Sequence, residues 1–177
     1  MPAFATAEDL ATYIGRDLTA KETATAAQAL DHASEVIRGY TQQTLDLVTN
    51  DPLTLYSLGE PKLFIPQLPI VSVASVVENG TTLPTADYYV EKENGLLYKK
   101  YGFWYPFTWG DPGTVVITYT HGFATIPQDI KNVCEVLAGG MMTNPVGVSQ
   151  ESLGTYSATY KPDPLDRLNR YRRLVTA

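Results

Sequence analysis

Two histidines (His32, His121) and one cysteine (Cys134) are the obvious groups for chemistry in this chain. Acid–base or nucleophilic catalysis needs such groups to converge, a base beside a nucleophile or two carboxylates across one bond. Here each has a plainer reading. His32 lies beside the apolar stripe of a helical pattern, where a half-exposed polar residue is the ordinary outcome. His121 closes a strand just before Gly122, where it can cap or hydrogen-bond. Cys134 falls next to a buried helical stripe, whereas a reactive thiol needs an exposed electropositive setting. The carboxylates are scattered: Asp129 sits in the first turn of a helix, and Glu91 and Glu93 flank a turn. No HExxH, CxxC, GxSxG or phosphate-cradling glycine loop is present. The expectation is no catalysis, no cofactor and no metal.

Three stretches are better suited to contact. Residues 101–109 hold Tyr101, Phe103, Trp104, Tyr105, Phe107 and Trp109, broken by Gly102 and Pro106. Rings give contact area at little entropic cost, so this cluster suits a ligand or carbohydrate platform, a peptide site or a neighbouring subunit. Residues 151–160 are polar and β-prone, with Leu153, Tyr156 and Tyr160 as their larger side chains, and read as an arm reaching out of the domain. From Lys161 onward there are five basic and two acidic residues, so the tail carries +3 and the remainder −9 of the total −6. An acidic body with a basic tail suggests that the tail meets an acidic surface, and the acidic total disfavours a free-standing nucleic-acid binder.

The elements that position these stretches follow from periodicity. Residues 114–122 alternate, with Val115, Ile117 and Tyr119 on one face, which predicts a strand. Pro127 and Asp129 open a helix whose stripe is Ile130, Val133, Leu137 and Met141. Upstream, Thr19 with Glu22 is a capping box, and Thr6 with Asp9 is a weaker version of one. The first helix presents Leu10, Tyr13 and Ile14. The second, ending near Tyr40, presents Ala26, Leu30, Ala33, Ile37 and Tyr40, and its small residues let another helix approach closely. Asn50-Asp51-Pro52 breaks the helical period. Beyond it the period is two, with residues 53–58 and 62–65 expected to pair and hairpin turns at Asn79-Gly80 and Asn94-Gly95. Five or six strands should form a curled antiparallel sheet. Asp163-Pro164 caps a last amphipathic helix carrying Leu165, Leu168 and Tyr171. The fold class expected is α+β: a helical bundle with an inserted antiparallel β domain and a C-terminal amphipathic helix. Its divisions are 1–48 and 123–147 for the helical core, 49–122 for the insert and 148–177 for the arm and last helix. There is no run of about 18 apolar residues and no basic-then-apolar N-terminal block, so neither a membrane span nor a secretory signal is expected.

The succession of segments resembles the head-to-tail connector (head completion, or adaptor) proteins of tailed bacteriophages. The residues carrying it are Leu63-Phe-Ile-Pro-Gln-Leu-Pro-Ile-Val-Ser-Val-Ala-Ser-Val76, Asn79-Gly80, Asp87-Tyr-Tyr-Val90, Gly95-Leu-Leu-Tyr98, Val116-Ile-Thr-Tyr-Thr-His-Gly122, Ile126-Pro-Gln-Asp-Ile130, Asn144-Pro-Val-Gly147, Glu151-Ser-Leu-Gly-Thr-Tyr156 and Tyr171-Arg-Arg173. The resemblance implies a structural virion protein at the head–tail interface, present in the host cytoplasm during assembly. It implies a ring, usually a dodecamer, that binds the portal protein, extends the DNA channel without reading sequence and offers a surface to the stopper or tail-completion protein. Portal docking then falls to Leu165, Arg167, Leu168, Arg170, Tyr171, Arg172 and Arg173. Contacts between subunits fall to Phe103, Trp104, Tyr105, Trp109, Leu153, Tyr156 and Tyr160.

Overall fold

A computed structural model of the chain describes residues 1–106, 113–143 and 163–173. The fold is α+β, and the chain divides into two compact units. The first joins Met1–Gln42 to the described residues from Ile126 onward; the second is Gln43–Thr125.

The first unit is helical: α1 (Ala7–Ile14), α2 (Ala20–Thr41), α3 (Gln128–Thr143) and a short 3₁₀ helix, Pro164–Tyr171. Both capping boxes form. Thr6 accepts from the Asp9 N–H while Asp9 reaches back to the Thr6 N–H, and Thr19 and Glu22 do the same. Glu22 is also bound by Arg16 Nη2 at 2.6 Å. That bond first, then those from Thr19, pulls its carboxyl from 4.5 to about 2. A depressed carboxyl stabilises the fold above its unfolded pKa, and that contribution is lost as pH falls from 4.5 towards 2. Thr19→Ala is therefore expected to cost about 1 kcal/mol at neutral pH, and less in acid. Urea unfolding at pH 7 and pH 3 checks both statements.

Helix α2 packs on α3, and small residues are buried on both: Ala26, Ala29, Ala33 and Ser34 on α2, Ala138 and Gly139 on α3, with Gly139 facing α1. The buried stripe of α3 is turned from the expected one. Val133, Cys134 and Ala138 follow Ile130 inside, while Leu137 and Met141 are half-buried. The reason lies in the neighbours. Cys134 Sγ sits 3.4 Å from Ser34 Oγ on α2, and Gly139 faces the Tyr13 ring of α1, so these small residues meet the neighbouring helices. Burial pushes the Cys134 thiol up, as befits an inert core residue. His32 is exposed on α2.

Among the described residues the second unit has seven strands in two sheets, more than expected. One sheet runs β1 (Val48–Tyr56), β7 (Thr114–His121), β3 (Ile70–Glu78), β4 (Thr81–Thr82); the other runs β2 (Lys62–Phe64), β6 (Leu96–Lys99), β5 (Tyr88–Glu91). The Asn79-Gly80 hairpin forms, both residues at positive φ, and so does the one ending at Gly95. The expected β1–β2 pairing does not form. β1 pairs antiparallel with β7 from Val48↔His121 to Tyr56↔Thr114, whereas β2 spends its three residues on β6. A nine-residue strand gains a longer ladder from β7 than three-residue β2 offers. Nor do Asn50-Asp51-Pro52 precede the sheet. Asn50 takes φ 52° where the register shifts, and Pro52 is tolerated because β1 is an edge strand. Residues of both sheets share one core that includes Leu63, Ile65, Ile70, Val76, Leu97, Val115, Ile117 and Tyr119.

Candidate functional site

The C-terminal segment has a seat made by α2 and α3. Asp163 caps it by accepting from the Leu165 N–H, and Pro164 opens it. The helix is a 3₁₀ helix of eight residues, shorter and tighter than the amphipathic α-helix expected, so its side chains recur every three residues. That spacing puts Leu165, Leu168 and Tyr171 in one row. Leu168 is fully buried; Leu165 and Tyr171 are half-buried. Around Leu168 the contacts are polar. The Tyr40 hydroxyl donates to Asn169 Oδ1 at 2.8 Å, the Arg172 guanidinium lies 5.3 Å over the Tyr40 ring, and the Arg173 N–H donates to the Thr41 carbonyl at 2.9 Å. Arg170 forms an ion pair with Asp129, donates to the Tyr171 hydroxyl at 2.7 Å and stacks on its ring; that hydroxyl donates in turn to Asp129 Oδ1 at 3.0 Å. The hydrogen bonds to Tyr171 and Asp129 hold Arg170 above its usual range. Burial first, then the bond to Asp129, raises the Tyr171 phenol, and burial lowers Arg173.

Each residue expected to dock thus has a place. Leu168 is taken up by its own unit and is not on the surface as an anchor for a partner. Arg170, Tyr171 and Arg173 are engaged there too, while Arg167 and Arg172 keep their side chains exposed. The other half of the seat (Tyr40, Thr41, Asp129) is legible only as helix residues, because Asp129 and Arg170 are 41 positions apart.

In the second unit the aromatic cluster splits. Trp104 is fully buried with the β core, not on a surface, so it serves neither a ligand platform nor a subunit contact. Its backbone N–H donates to the Glu60 carbonyl at 3.1 Å, and Lys99 Nζ, paired with Glu78 at 2.7 Å, lies 5.6 Å over its ring. Glu78 also accepts from the Tyr105 N–H at 2.7 Å, which fixes the segment on both sides of the indole. These ties turn Trp104 inward and leave Tyr101, Phe103 and Tyr105 outward, 76%, 66% and 45% exposed. Tyr56 and Leu58, before β2, are exposed as well. Phe107, Trp109, Leu153, Tyr156 and Tyr160 lie outside the described residues.

His121 is buried at the end of β7. Its Nε2 is 3.1 Å from Asp51 Oδ2, and its ring packs on Tyr119 at 4.9 Å. Burial first, then the Asp51 charge, pushes the Tyr119 phenol up to about 12. The trio ties β1 to β7. Among the described residues no group of three or more His, Cys, Asp or Glu could hold a metal, and no helix is long and apolar enough to cross a membrane.

No protein-family model matches the chain, and no curated protein sequence does. Solved structures share its fold. A chain in the neck of an empty gene transfer agent particle, computed with C6 symmetry, superposes with a TM-score of 0.63 at 16% identity over 98% of this chain and 91% of that one. A chain of the virion of the native gene transfer agent particle gives 0.61 at 16% over the same shares. One in the neck of the native particle, computed with C12 symmetry, gives 0.56 at 18% over 87% and 85%. At these identities the likeness is one of fold.

Proposed function

We propose that this chain is a structural subunit of the neck of a phage-like particle: a head-to-tail connector that assembles as a ring, binds the portal and prolongs the DNA channel towards the stopper or tail. The observation that carries the reading is the fold shared with a neck chain along 98% of the sequence. Neck reconstructions with C6 and C12 symmetry favour a ring, with twelve copies the number we adopt. Charge agrees: a body of −9 repels phosphates and lets DNA pass without holding it. The helical parts, 1–42 and 126–143, would form the hub, 43–125 the β insert and 148–177 the arm and docking segment. Portal docking is assigned to Arg167 on the exposed side of that segment, with Arg172 and half-buried Leu165 at the edge of the seat, while Leu168, Arg170, Tyr171 and Arg173 hold it in place. Phe103 and Tyr105 are assigned to contact between subunits, together with Trp109, Leu153, Tyr156 and Tyr160 from the sequence alone.

The test is to mix the protein with the portal of its own particle and image the complex. Closed rings stacked on the portal are expected; a monomer that leaves the portal bare overturns the reading. Arg167→Glu combined with Arg172→Glu should weaken portal binding at least about tenfold at low salt, and by less as salt screens the charges. Equal weakening at every salt concentration would remove the electrostatic part of the proposal.

A further inference from the structure

The seat for residues 163–173 is built like a protein–protein interface. One apolar side chain, Leu168, is buried, and it is ringed by the Tyr40–Asn169, Arg172–Tyr40, Arg170–Asp129–Tyr171 and Arg173–Thr41 contacts. A central apolar anchor with a polar rim is how interfaces concentrate their energy. The segment is too short to hold its shape alone: an eight-residue 3₁₀ helix with one buried side chain depends on the surface that receives it.

The covalent tie to that surface is long. Positions 144–162 connect Thr143 to Asp163. The seat reaches Asp129 in the first turn of α3, one helix length back from Thr143. A sixteen-residue helix is about 24 Å long, whereas a connection of this many residues spans up to about 65 Å when extended. The segment can therefore reach well beyond its own seat.

We propose that in the ring the segment 163–173 of each copy occupies the α2–α3 seat of the next copy. This rests on the ring reading above and names the contact that would close it. Exchanging an identical element keeps every contact of the seat, so the exchange costs little, while each copy becomes fastened to its neighbour. Donor segment and acceptor seat are different surfaces of one chain, which is the head-to-tail arrangement that a closed ring requires.

Charge reversal tests it. Asp129→Arg and Arg170→Glu each place like charges in the seat, and each alone should lower ring yield at least about tenfold. In an equimolar mixture of the two variants, exchange re-forms opposite pairs between alternating copies, so yield should return to within about twofold of the parent. Recovery only when both changes share one chain overturns the proposal. A second measurement does not depend on how those variants fold. Tyr40→Cys and Asn169→Cys are placed on separately tagged chains and treated with a short bismaleimide; the native Cys134 is buried. The size of the complex, with portal present, is measured first. A covalent adduct joining the two tags within the ring supports exchange. Rings whose adducts form only within a chain carrying both cysteines overturn exchange and leave the ring reading standing. If no ring forms, the ring reading falls and exchange with it.

Discussion

Gly122→Ala is expected to destabilise the β unit by about 4 kcal/mol or more. Gly122 follows β7 with φ +87°, a conformation that L residues rarely adopt. That strain alone would cost about 1–3 kcal/mol. The larger penalty is steric: a Cβ at this position would lie 2.0 Å from the Asp46 carbonyl oxygen and 2.6 Å from its carbon. These are backbone atoms, with no flexible side chain to swing aside. The surroundings also resist a shift. The Gly122 N–H donates to the Pro69 carbonyl at 3.0 Å, the Phe123 N–H donates to the Leu45 carbonyl at 2.8 Å, and Asp46 bridges Phe123 in parallel. Moving Gly122 away from Asp46 breaks these bonds, and buried Leu45 would have to follow. Gly102→Ala is the control. Its φ is +79° but nothing lies within 4 Å of the added carbon, so only the strain of about 1–3 kcal/mol should appear. Urea unfolding followed by circular dichroism separates the two. A Gly122→Ala protein within about 1 kcal/mol of the parent would refute the steric account.

What the sequence made legible is local and periodic. The capping boxes, the strand at β7, the Asn79-Gly80 turn and the small-residue face of α2 each rest on residues near one another in the chain. Turn chemistry and hydroxyl–carboxylate pairs act over three or four positions, so their signal survives without tertiary knowledge. Long-range pairing does not. That β1 joins β7 and β2 joins β6 depends on comparing ladders between strands far apart in sequence, and the nearest partner was the wrong one. The rotation of the α3 stripe has the same origin. A period identifies a face, but Ser34 and Tyr13 on other helices decide which side chains lie closest.

The contact residues show the same division. A row of aromatic residues declares an apolar segment without saying which ring turns inward; Glu60, Glu78 and Lys99 decide that. In the tail, spacing put Leu165, Leu168 and Tyr171 in one row, and they lie in one row. That the row is met by the chain's own helices was hidden, since Tyr40 and Asp129 had ordinary helical roles. The Arg170–Asp129 pair is exposed and worth little alone. Its interest lies in direction, because it orients a segment whose single apolar anchor would fit the same seat on any copy.

The contrast between two adjacent aromatics gives the other large effect. Trp104→Ala should cost about 3–5 kcal/mol, the toll of emptying a fully buried indole site. Trp104→Phe should recover much of this. It keeps a ring beneath Lys99, and it removes an indole N–H that is buried without a hydrogen-bond partner among the described residues. Phe103→Ala, one position away and exposed, should change stability by no more than about 0.5 kcal/mol. If the ring reading holds, the same change should lower assembly on the portal, since an outward ring contributes only when a neighbour covers it. Unfolding curves and ring yields for the three variants read these effects separately. Stability lost at Phe103 would mean that this side chain packs within its own unit. A stable Trp104→Ala protein would put the indole on the surface, and would return the whole cluster to the ligand platform that its composition first suggested.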